Sequence, residues 1–136
     1  MGLDNGICVR RTPDTNKIEE LKVFNDDWDK ELKYDFEITY WRKCWGLRSD
    51  ILFLIGKRWS REEQYEFNLT KDDIDIIIKR LESYDDETWE DSIWEWTAEE
   101  EGWSYSEHIK QDIDNLKILR KLMDKYELEV YFYDSY

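Results

Sequence analysis

The run Tyr34-Asp35-Phe36-Glu37-Ile38-Thr39-Tyr40-Trp41 alternates apolar and polar positions. It predicts a strand with Tyr34, Phe36, Ile38 and Tyr40 facing a core and Asp35, Glu37 and Thr39 facing solvent, because successive strand side chains point to opposite faces. From Lys43 the period changes: Cys44, Leu47, Ile51, Leu54 and Ile55 share one side of a helical wheel, and Gly56 supplies a stop. Tyr65 to Leu69 reads as a short strand. Thr70 followed by Asp73 is a capping signature, and the helix it opens carries Ile74, Ile77, Ile78 and Leu81 as its i, i+3, i+4, i+7 stripe. Ser104 and Glu107 form a second capping box. The helix that follows is expected to reach about Tyr126, with Ile109, Ile113, Leu116, Leu119, Met123 and Tyr126 as its apolar stripe. Arg120, Lys121 and Lys125 fall in its last turns, where they complement the helix dipole. Leu128 to Tyr133 alternates again and closes the chain as a strand.

Three stretches are less regular. Asp4-Asn5-Gly6 reads as a turn, because asparagine and glycine tolerate positive φ, and Ile7 to Thr12 as the strand after it. Residues 17 to 33 leave a short strand and a helix both open. Between Tyr84 and Trp103, Ser92 to Trp96 alternates like a strand and Thr97 to Gly102 like a loop. Strands mixed with about three helices, without regular βαβ alternation, predict one α+β domain over residues 1–136, a mostly antiparallel sheet packed by those helices.

Composition supports a packed core, since 40% of residues are hydrophobic and 16% aromatic, too many for a disordered chain. The net charge of −14 repels phosphates and anionic lipid, so neither direct nucleic-acid binding nor membrane binding is expected; the acidity serves solubility alone or suits a basic partner. The longest apolar run, Ile51 to Ile55, is far short of a membrane span, and the first residues lack the pattern of a secretory leader. Cys8 and Cys44 make neither a CxxC nor a zinc spacing, which fits a reducing compartment and leads to an expected place in a host cytoplasm.

Against that acidity, charge is segregated. From Trp41 to Arg61 the chain carries Arg42, Lys43, Arg48, Lys57, Arg58 and Arg61 against a single acid, Asp50. Arginine forks onto phosphate or carboxylate, and tryptophan offers a π face. Trp41, Arg42, Lys43, Trp45 and Arg48 are therefore a candidate site for an anionic, nucleotide-like small molecule. The competing reading pairs these arginines with surplus carboxylates and caps the core with Trp41 and Trp45. A second candidate surface is Trp94, Glu95, Trp96, Glu99, Glu100 and Glu101, acids around aromatics that suit the basic face of a host protein. An acidic inhibitor that mimics DNA would use it.

Enzyme chemistry finds little support. No P-loop, GxGxxG, GxSxG or HExxH string is present, and Asp26 to Glu31 lacks the glycine and terminal glutamate of a calcium loop. His108 is the sole histidine, in the first turn of the last helix, and a base there needs a thiol or carboxylate brought to it by the fold. No catalytic residue, metal or cofactor is assigned.

Three strings stand out together: Met1 to Ile7, "MGLDNGI"; Tyr40 to Arg48, "YWRKCWGLR"; and Leu128 to Tyr136, "LEVYFYDSY". They resemble a family of small proteins encoded by phages and prophages, and they span both ends and the middle of the chain. The resemblance transfers no activity. It implies a non-enzymatic accessory role during infection or lysogeny, in which the protein binds a host protein or a small nucleotide signal used in defence.

Overall fold

Strand β1 (Asp4–Val9) starts inside the expected turn. The computed structural model describes residues 4–42, 45–56, 66–84 and 105–135, with the backbone alone at 4, 42, 45–46, 105–107 and 135. The glycine that signalled a turn answers a different need. A Cβ on Gly6 would collide with the carbonyl oxygen of Thr39 on the neighbouring strand, so only a residue without a side chain fits there.

Residues 15 to 24 resolve the open choice in favour of 3-10 helix, over Thr15–Lys17 and Glu19–Phe24. Leu21 and Phe24, both buried, stand three apart on the second helix and so fall in line at three residues per turn, while Ile18, buried with them, is the extended residue that joins the two helices.

Strand β2 (Phe36–Arg42) pairs antiparallel with β1. Phe36 and Ile38 are buried as expected, but the pairing slips between Ile7 and Cys8. Beyond that irregularity the parity of β2 reverses, so Thr39 and Trp41 point inward and Tyr40 is half-buried. The Thr39 hydroxyl oxygen accepts from the Ile7 N–H at 3.1 Å and supplies that backbone group with a partner. Tyr34, expected inside, precedes the strand and is exposed.

Helix α1 (Trp45–Leu54) buries Leu47, Ile51 and Leu52, and the chain leaves it through Gly56 at φ 74°. After β3 (Glu66–Asn68), α2 (Lys71–Glu82) opens with the expected capping box, in which the Thr70 hydroxyl accepts from the Asp73 N–H at 3.1 Å and the Asp73 carboxylate from the Thr70 N–H at 2.9 Å. Its Ile74, Ile77, Ile78 and Leu81 are buried, each worth about 1.5–3 kcal/mol of transfer free energy. Helix α3 (Tyr105–Lys125) leads to β4 (Val130–Ser135).

The sheet order is β2-β1-β4-β3, antiparallel throughout, so the two terminal strands lie side by side at its centre. Helix α3 packs on β2 and on α2, and α2 on α1. The shared core joins Ile7, Val9, Phe36 and Phe132 of the sheet to Leu47, Ile77 and Leu116 of the helices. On the other face of the sheet Cys8 and Tyr131 are buried beneath Arg10, whose guanidinium lies 4.2 Å from the Tyr131 ring centre and pairs with Asp35 and Glu66. This is the α+β architecture that the sequence predicts. Among the described residues no helix is long and apolar enough to cross a membrane.

Candidate functional site

Polar residues gather at one end of the helix-covered face. In the strand register Asn5 of β1 lies opposite Trp41 of β2 on one side and Asp134 of β4 on the other. All three are inward and at most 2% exposed. Such a row is unusual at core positions, because a buried polar group without a hydrogen bond costs about 1–3 kcal/mol.

Two helices supply partners for the ends of the row. Asp134 accepts from Nε and Nη2 of Arg48 on α1, at 2.6 and 2.7 Å, a two-pronged ion pair with both side chains buried. Trp41 donates its indole N–H to Oδ2 of Asp112 on α3 at 2.7 Å. His108, one turn earlier on α3, sets its Nε2 3.6 Å from the same carboxylate oxygen. Burial drives the Asp112 carboxyl up to about 7, with the Trp41 N–H pulling against it. Burial also lowers the His108 imidazole, and its hydrogen bond to the Tyr40 backbone opposes that. Asp112 therefore exchanges its proton near neutrality, beside an imidazole whose affinity for a proton is lowered.

The middle of the row is different. Neither Oδ1 nor Nδ2 of Asn5 has a hydrogen-bond partner among the described residues, although the side chain is fully buried. An amide presents an acceptor and a donor side by side, and no group among the described residues meets either of them here.

The expected site residues divide. Trp41 and Arg48 do come to the same end of the sheet, on either side of Asn5. Trp41 is sealed in the core, with no ring face open for stacking, and Arg48 is matched by Asp134. Arg42 ends β2 and Trp45 begins α1, but their side chains lie outside the described residues, as does Lys43 altogether. The second candidate surface, Trp94, Glu95, Trp96, Glu99, Glu100 and Glu101, lies outside them too.

Sequence reasoning missed Asn5, Asp112 and Asp134. Each interrupts an apolar pattern from the inside: Asn5 precedes Ile7 and Val9 at strand spacing, Asp134 follows Val130 and Phe132, and Asp112 sits between Ile109 and Leu116 on the helix stripe. A polar residue in phase with the core was the available signal. Acid–base chemistry has candidates in Asp112 and His108. The described thiol, Cys8, is on the opposite face, where burial and then Glu37 raise it to about 12, so it is no nucleophile. Among the described residues no group of histidine, cysteine and carboxylate side chains could hold a metal ion. Two surface clefts flank Tyr126 to Leu128 at the C-terminal end of α3; Arg10, which lines one of them, is engaged by Asp35, Glu66 and Glu129.

No family model, curated protein or solved structure matches this chain.

Proposed function

We propose that the protein is a non-enzymatic accessory protein of phage type that binds an anionic, nucleotide-like small molecule, at the end of the sheet marked by Asn5, Trp41, Arg48 and Asp134. The observation that carries the proposal is the buried Asn5 amide with both of its polar atoms unpartnered among the described residues. A nucleobase edge offers the complementary donor and acceptor, as adenine does to asparagine through N6 and N7. Asp134, opposite Asn5 in the strand register, is paired with Arg48, so neither of these two charges is assigned to phosphate. The phosphate contacts fall in this reading to Arg42 and Lys43, which follow Trp41 directly in the chain.

The experiment is titration calorimetry against mononucleotides, nucleoside polyphosphates and cyclic dinucleotides. Asn5→Ala is the diagnostic variant, since Arg48→Ala would break a buried ion pair and test folding instead. At least one member of the panel should bind, and Asn5→Ala should weaken it by about tenfold or more, the share of one two-pronged base contact worth about 1–3 kcal/mol. A panel that does not bind, or a variant that binds as well as the parent, refutes the proposal.

A further inference from the structure

The loop between the second 3-10 helix and β2 displays two aromatic rings at the far end of β2 from Asn5. Trp28 is 65% exposed and Tyr34 59%, yet they touch, with ring centres 4.9 Å apart and planes at 56°. Isolated exposed aromatics are ordinary surface features. A ring pair fixed in place is not.

The loop around the pair is clamped. Asp29 is almost wholly buried, and its carboxylate accepts from the N–H groups of Lys33 and Tyr34, both at 3.0 Å. Arg11 reaches both ends of the loop, donating to Oδ1 of Asn25 at 2.8 Å and to the carbonyl of Tyr34 at 2.6 Å, while its guanidinium lies 3.9 Å from the Phe36 ring centre. Within the clamp Leu32 is held at φ 54°, a left-handed conformation that a branched side chain seldom adopts. The chain accepts that strain and leaves Leu32 40% exposed beside the rings in sequence. Rigid tryptophan and tyrosine make strong binding anchors, because little freedom is lost when a partner docks.

Charge selects the partner. The loop carries Asp26, Asp27, Asp29 and Glu31 against Lys30 and Lys33. Lys33 is taken by Glu31, and Asp29 is spent on the backbone. Asp26 and Asp27 make no ion pair among the described residues, and burial followed by repulsion from Asp29 and Asp27 raises the Asp26 carboxyl. A guanidinium suits this combination: its plane stacks on an indole while its N–H fork takes a carboxylate.

We propose that Trp28 and Tyr34, with Asp26 and Asp27, form a docking surface for an arginine-bearing basic segment of a partner protein. The surface is separate from the nucleotide site and stands or falls independently of it.

The test is a titration of the isotope-labelled full chain with a short arginine–alanine peptide at about 0.15 M ionic strength, where diffuse attraction to an acidic surface is screened beyond about 8 Å. Resonances of the Trp28 indole N–H and the Leu32 to Tyr34 amides should shift. Trp28→Ala should weaken the peptide by about tenfold, and a lysine–alanine peptide should bind the parent several-fold more weakly. Trp28→Leu, which keeps apolar area and removes the π face, should lose the peptide as Trp28→Ala does, so the inference does not depend on one variant folding. Shifts spread over the acidic surface with Trp28 unmoved, equal binding by the variants, or self-association of the parent that Trp28→Ala abolishes would each overturn the assignment, the last in favour of a second copy of the chain.

Discussion

Replacing Asp134 by alanine removes the acceptor for two Arg48 donors at 2.6 and 2.7 Å. The guanidinium is 4% exposed and cannot shed its proton, so a full charge is left in the core. Breaking a buried pair in this way costs about 3–5 kcal/mol, against about 0–1 kcal/mol for an exposed pair. In the reciprocal change, Arg48→Met, the Asp134 carboxylate loses its two-pronged donor in the core, and a loss of about the same 3–5 kcal/mol is expected. The double variant Arg48→Met/Asp134→Leu leaves no charge behind and should recover most of the stability, since apolar replacement of a buried pair is often neutral or better. Urea unfolding followed by circular dichroism measures all three. With a slope of about 1–3 kcal/mol per molar urea, Asp134→Ala should lower the midpoint by about 1–5 M. A loss below about 1 kcal/mol for Asp134→Ala, or a double variant as damaged as the sum of the singles, would show that the pair is not buried as described and would refute the reasoning.

Gly6→Ala places a Cβ against the Thr39 carbonyl oxygen, so β1 and β2 must part, and a loss of about 1–3 kcal/mol in urea unfolding is expected. Asp112→Asn tests the raised carboxyl. Because the folded state keeps that proton up to about pH 7 while the unfolded chain releases it near 4, the parent loses stability as pH rises across that window. The variant, still able to accept from Trp41, should gain on the parent between about pH 5 and pH 7, and a gap in urea midpoints that does not change with pH would refute this. Cys8, raised to about 12 by burial and Glu37, should resist iodoacetamide in the folded protein and react in urea, as read by mass mapping of its peptide.

Local patterns fixed the elements whose signals lie close in the chain. The α2 capping box and isoleucine stripe, the glycine stop after α1 and the alternation of β4 were all readable, because each depends on a few consecutive residues and a single period. The charge asymmetry and the α+β class followed from the same information. The register did not. Whether Tyr40 or Trp41 faces the core turns on an irregularity in pairing with β1, more than thirty residues away, and a one-residue slip inverts every position beyond it. For the same reason Gly6 read as a turn when it marks a close approach of two strands, and Asn5 passed as a turn residue when it is fully buried. Arg48 meeting Asp134 across 86 residues, and Trp41 meeting Asp112 across 71, are contacts between side chains that share no local pattern. The sequence alone determined α1 to α3 and most of the strands, though not the two 3-10 helices or the start of β1, since backbone preference and periodicity are local. Only the tertiary structure decided which of its charges and indoles face one another, since the strand pairings that set those neighbours are made between residues distant in the chain.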